Sequence, residues 1–358
     1  MHLSSPKLKE SVQFFPIENN MFHVYDSETS RHFKMGEQEV AWLRFFDGET
    51  NLDTLRGKIP LEYFDKFVAH IVRIKLLEGP TTREKRSILK IKLINIDPTK
   101  VIDRMGVFPI YYRHFLEWIS FPVFILNILA IILLVPQAGR IRETLQFNAY
   151  TVVFYLVAIM LTGIMHEGSH ALVARSFKVQ VPKIGAMLFM LHPSFYADVS
   201  AINLLSHRGQ RVMVLIAGVL GNNLLMFIGV ILTFLPLGAM GQQFALLFIA
   251  INFVLMFVNL IPFVEFDGYF IFQELLGEPR FARNAIINQL SQQPKQLEYT
   301  MYFHVSQLFQ FVMISSALVL LRNGVLMVWD SSTVDVLFLA MIIASYPAIL
   351  LYRIKSAR

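Results

Sequence analysis

Long, nearly unbroken apolar runs dominate the chain after Phe115, whereas residues 1–113 mix apolar and polar positions as a soluble domain does. Six runs are long enough to cross about 30 Å of hydrocarbon as helices. They are Ile119–Val135, Tyr150–Ala174, Val212–Leu235, Phe244–Val264, His304–Leu321 and Val334–Tyr352. The pattern predicts a polytopic α-helical membrane protein with about six transmembrane helices and a small N-terminal α/β domain.

Between the second and third runs, Val179–Ser200 is apolar but punctuated by Pro182, Gly185 and Pro193. Ile184–Leu191 reads either as a buried strand or as part of an interfacial loop. Irregular backbone at membrane depth has to be covered by protein or line a cavity. A strand there would offer an edge to an extended peptide.

In the N-terminal part, Met21–Tyr25 and Arg31–Met35 fit a hairpin across Asp26–Thr29. Glu37–Phe46 reads as a helix with Val40, Leu43 and Phe46 on one side. Phe64, Phe67, Val68, Ile71 and Val72 form a second helical stripe, closed by Gly79–Pro80. Residues 81–100 are a basic stretch. Arg83, Lys85, Arg86, Lys90 and Lys92 suit anionic headgroups, a solvated linker or a strand. The expected organisation is 1–82 N-terminal α/β domain, 83–113 basic connector and 114–358 transmembrane domain.

Composition agrees with this division. Hydrophobic residues make up 55% of the chain and charged residues 16%, and the mean hydropathy is +0.51. The net charge of +6 fits positive-inside bias, and no aromatic-basic pattern points to nucleic acid. With no cysteine there are no disulfides and no thiolate ligands. The N-terminus shows no apolar stretch of the kind that marks a cleavable signal peptide.

Charge also sets orientation. With the N-terminus inside, inner loops and tail carry Arg175, Lys178, Lys183, Arg208, Arg211, Arg280, Arg283, Lys295, Arg353, Lys355 and Arg358. The outer loops carry Arg140, Arg142 and Arg322. The imbalance places both termini in the cytoplasm of a multi-pass cell-membrane protein.

Two polar signals interrupt the apolar runs. HEGSH spans His166–His170 near the end of the second, and NLIPFVEFDGY spans Asn259–Tyr269 at the end of the fourth. Ionisable residues in a bilayer are costly and mark function. His166 and His170 lie one helical turn apart, so their rings can converge on one ion. Two imidazoles and a carboxylate suit Zn2+ with a fourth position open to water, and Glu167 is placed as general base. Asp267 is the favoured third ligand, because Pro262 breaks the helix before it and Gly268 permits a tight turn after it. Glu265 is the competing carboxylate and His192 an additional candidate ligand. In the predicted topology HEGSH and Asp267 fall at the same cytoplasmic depth.

HEGSH, FYADVSAINLLSHRGQRVMVLIAG and NLIPFVEFDGYFIFQELL together resemble the site-2 protease family over about 150–276, closest to its peptide zinc metalloprotease branch. The resemblance implies a zinc metalloendopeptidase with His166, His170 and Asp267 as ligands and Glu167 as the catalytic residue. It implies that Asn259 helps hold the substrate strand. The family's Pro after an Ala-Gly pair is replaced here, in Ala217–Gly218–Val219, and Pro262 is displaced from Asn259. Asn222 and Asn223 are further polar residues of the third run, open to substrate contact or helix–helix bonding.

The stretch 22–77, with RHFKMG and VAWLRFFDGE, resembles the PqqD-like peptide-recognition fold, similar to a small winged helix. That resemblance implies capture of the leader of a ribosomally synthesised peptide as an added strand. The expected activity is therefore processing of such a precursor, with a peptide-modifying enzyme or exporter as possible partners. The alternatives are intramembrane proteolysis of a membrane-bound regulator and a non-catalytic peptide escort for export.

Overall fold

A computed structural model describes residues 5–17, 20–26, 31–78, 90–134, 149–189, 192–278, 280–292, 294–326 and 332–357. The N-terminal part is a three-stranded antiparallel sheet, order β1 (Val12–Ile17), β2 (Met21–Asp26), β3 (Arg31–Gly36). It is followed by helices α1 (Glu37–Leu43), α2 (Leu52–Lys58) and α3 (Leu61–Ile74). The expected hairpin is β2–β3, with Met21 opposite Gly36 and Asp26 opposite Arg31. The sequence pattern did not disclose β1, whose partner is β2.

Val24, Val40, Leu43, Phe46, Leu55, Phe64, Phe67 and Ile71 form the core of this domain. Phe46 stays buried although α1 ends at Leu43. Asp47 explains the turn beyond it: its carboxylate accepts from the Glu49 and Thr50 amides and the Thr50 hydroxyl while Gly48 takes φ +86°. The α3 stripe is narrower than expected, since Val72 is exposed. At about 100° per residue, Val72 is rotated past the face that Phe64, Phe67 and Ile71 share. The helix stops at Lys75, in the left-handed conformation, before Gly79–Pro80, which lie outside the described residues.

Lys90–Ile96 is not a free tether. It forms β4, which pairs antiparallel with β5 (Ile184–Phe189), and β5 pairs with β6 (His192–Ala197). The apolar segment after HEGSH is thus a hairpin inside a three-stranded sheet rather than a lone strand. This sheet satisfies backbone groups that would otherwise be orphaned near apolar helices. The N-terminal β3 packs against a short 3-10 turn, Ser200–Leu204, just after β6. Lys183 sits over the Tyr25 ring at 5.9 Å. The N-terminal sheet therefore adjoins the β5–β6 hairpin.

Six helices are long and apolar enough to cross a membrane. They are α5 (Phe108–Leu134), α6 (Ala149–Ser176), α7 (Arg208–Thr233), α8 (Gly238–Asn259), α11 (Leu297–Leu326) and α12 (Ser332–Ala357). The short helices α4 (Thr99–Arg104), α9 (Asp267–Leu276) and α10 (Phe281–Leu290) complete the order. Helix α5 begins well before Ile119, because Arg113, His114 and Glu117 bond one another across its first turns and continue the helix where hydropathy is low. Helix α8 ends at Asn259 rather than continuing to Val264, since Pro262 has no N–H to extend the ladder.

Helix α7 is the most buried of the six and packs against α5, α6, α8 and α9. Its small residues Ala217, Gly218, Gly221 and Gly229 allow close approach. Asn223 ties it to α5: Asn223 Nδ2 donates to Ser120 O at 2.9 Å, and Asn127 Nδ2 donates to Asn223 O and Oδ1 at 2.9 Å.

Candidate metal centre

Three side chains from two distant stretches meet inside this bundle. His166 and His170 come from α6, and Asp267 from the first residue of α9. The Asp267 Oδ2 lies 3.0 Å from His166 Nε2 and 3.1 Å from His170 Nε2, and the two Nε2 atoms are 3.2 Å apart. A tetrahedral ion with ligand bonds of about 2.0–2.1 Å requires donor atoms roughly 3.3 Å apart. The triangle is thus the size such an ion needs. The imidazole rings stand at 80° to each other, with both Nε2 atoms turned toward the carboxylate.

The surroundings fix this arrangement. His170 Nδ1 lies 2.7 Å from Val214 O on α7, which holds the ring with Nε2 free for an ion. Ser169, next to His170, donates to Met165 O at 2.6 Å and lies 2.7 Å from the Tyr112 hydroxyl of α5. A pair of α7 glycines lets that helix touch the site. A β-carbon at Gly221 would lie 2.4 Å from Ser169 Oγ, and one at Gly218 would meet both imidazoles.

Asp267 is delivered by the irregular segment 260–266. Its N-cap, Phe266, is fully extended, so the carboxylate enters in the first turn of α9, where the helix dipole favours a negative charge. Gly268 lies against the Leu260 backbone, where a β-carbon would be 2.2 Å from Leu260 O. Close approach of backbone, rather than a left-handed turn, is what requires glycine there. Tyr302 of α11 donates to Pro262 O at 3.0 Å, and Val264 is buried among Met187, Phe309, Met313 and Ile314. Arg211 of α7 pairs with Glu274 of α9 at 2.9 Å.

Glu167 is 8% exposed, and its carboxylate lies within electrostatic reach of His166, His170 and Asp267 as well as of the end of β6. The Ala197 backbone amide at the end of β6 is directed at its carboxylate, and one turn earlier the Phe195 ring packs on Gly163. The edge strand of the β4–β5–β6 sheet therefore runs along the face of α6 that carries Glu167.

Among the described residues, the group of His, Asp and Glu side chains able to share an ion is His166, His170 and Asp267. Glu265, the competing carboxylate, is exposed and outside it. The His192 side chain lies outside what is described. Asn259 is the half-buried last residue of α8 and is not in the triad. Gly218, Val214 O, Tyr112 and Tyr302 were not anticipated as parts of the site. The small residues of the third apolar run were a readable hint of close packing; the other contacts have no signature in sequence.

Comparison of the chain with protein-family models, with curated proteins and with solved structures finds no match.

Proposed function

We propose that this chain is a membrane-embedded zinc endopeptidase of the site-2 protease type, whose PqqD-like N-terminal domain presents a ribosomally synthesised precursor peptide from the cytoplasmic side. The observation that carries the reading is the meeting of His166, His170 and Asp267 inside apolar helices, with Glu167 beside the first histidine. The donor set, two imidazoles and one carboxylate at ion-sized spacing, fits Zn2+ with one position open. A zinc ion held there would polarise the scissile carbonyl and lower the pKa of water.

The chain's own groups supply the rest. Glu167 takes a proton from the attacking water as the new C–O bond forms at the carbonyl carbon. It then delivers that proton to the amine nitrogen as the C–N bond breaks. The low exposure of His166, Glu167 and His170 keeps competing water scarce. A substrate strand added to the edge at β6 would lie extended beside Glu167, held through backbone hydrogen bonds that tolerate many sequences. Contact of β3 with the turn after β6 favours a precursor peptide over a membrane-bound regulator, since the recognition domain then adjoins that edge.

The test is zinc content and peptide cleavage by the purified protein and by Glu167→Gln. The variant should keep its zinc and lose cleavage by about 10²–10⁴-fold. Equal cleavage by both proteins overturns the mechanism.

A further inference from the structure

Metal-binding histidines need a partner on the ring nitrogen that does not bind the ion, because that partner fixes the proton and the ring orientation. His170 has one in Val214 O. His166 has none: its Nδ1 is buried without a hydrogen-bond partner. The same is true of Thr162 Oγ1 and of both side-chain polar atoms of Asn222. These residues are 6%, 0% and 1% exposed.

Helix spacing puts the four orphaned atoms on facing stretches of α6 and α7. Thr162 precedes His166 by one turn on α6, and Asn222 follows Gly218 by one turn on α7. Gly218 faces His166 and His170. Further along α7, Gly229 faces Ala245 and Ile249 of α8, close to Gln243, which donates to Thr151 at the start of α6. The helices α6 and α7 are therefore antiparallel, and Asn222 follows Gly221, which lies against Met165 and Ser169, so it falls on the stretch of α7 that packs on α6 beside His166. The neighbouring Asn223 points the other way, into its bonds with α5. Two adjacent asparagines thus serve different interfaces.

We propose that Asn222 is a positioning residue of the metal centre: its Oδ1 accepts from His166 Nδ1–H once Nε2 holds the ion, while its Nδ2 donates to Thr162 Oγ1. A carboxamide suits the position because it has an acceptor and a donor to offer at once. Ion binding and closure of this network are then coupled, so Asn222 tightens metal binding without touching the metal. The inference rests on the metal-centre reading, but not on the protein being a protease.

Zinc affinity of the full chain in detergent, measured by competition with a chromogenic chelator, tests it alongside thermal stability without zinc. Asn222→Leu should bind zinc about 10–100-fold more weakly. Its zinc-free stability should be unchanged or raised, since a buried unpaired amide has been removed. Asn222→Asp keeps the acceptor and should retain zinc. Asn223→Leu should lower stability and leave zinc affinity as it was. Wild-type zinc affinity in Asn222→Leu overturns the proposal, as does zinc loss in Asn222→Asp or an equal loss in Asn223→Leu. If Asn222→Leu fails to fold, zinc retention by Asn222→Asp decides. A wild-type protein that holds no zinc sinks the metal centre itself.

Discussion

Gly218 lies directly against His170: a β-carbon on it would stand 2.4 Å from His170 Nε2, and 2.6 and 2.7 Å from His166 Cε1 and Nε2. The third apolar helix thus forms a floor under the two imidazoles. It has to carry a hydrogen in place of a side chain for the rings to meet Asp267.

Gly218→Ala should displace one ring or separate α6 from α7. Overpacking of this kind costs about 1–3 kcal/mol, roughly a five- to 150-fold loss of zinc affinity if it falls wholly on the ion-bound state. Helix content by circular dichroism should be retained, since alanine is a better helix former than glycine. Wild-type zinc affinity in this variant contradicts the close contact.

Asp267 and Glu265 are two residues apart, and only the former faces the histidines. Asp267→Ala should abolish stoichiometric zinc in the purified protein, whereas Glu265→Ala should keep it. Metal analysis of the two variants decides the assignment, and the reverse result transfers the ligand role to Glu265.

Tyr302 reaches from α11 to the Pro262 carbonyl at 3.0 Å and braces the segment that presents Asp267. Tyr302→Phe removes that bond, worth about 1 kcal/mol, so zinc affinity should fall by roughly five- to tenfold. The effect should appear as faster zinc release to a chelator. Unchanged release would show that the segment is held by its apolar packing alone.

Asp47 is a test of the N-terminal domain. Amide bonds from Thr50 and Glu49 and the Thr50 hydroxyl hold its carboxyl down from 3.8 to about 2. A depressed carboxyl stabilises the fold above its unfolded pKa and ceases to do so as pH falls through the folded value. The domain should therefore lose stability between about pH 4 and pH 2. In Asp47→Ala, thermal melting should be less steep over that window. Identical pH slopes would mean the turn contributes nothing.

Much of this organisation could be read in sequence because its signals are local. Run length and hydropathy mark the apolar helices. The four-residue spacing of His166 and His170 puts both rings on one helix face wherever that helix sits. The hairpin Met21–Gly36 follows from alternation around a turn. Boundaries were less legible, because helix ends depend on hydrogen bonds rather than hydropathy. Helix α5 runs back to Phe108 through a polar turn, and α8 stops where Pro262 interrupts the ladder.

The sequence by itself determined that two histidines and a glutamate share a turn of an apolar helix, and that a carboxylate signal lies about a hundred residues on. Tertiary structure decided which carboxylate faces the histidines, because the direction of Asp267 depends on Leu260, Gly268 and Tyr302 packing around one bend. It also made β4 a strand, since the basic stretch gains backbone partners only when β5 lies beside it. It assigned Asn223 to α5 and left Asn222, the next residue back, buried with its amide unpaired. Adjacent residues on a helix differ by about 100° in direction, and only neighbouring helices give those directions meaning.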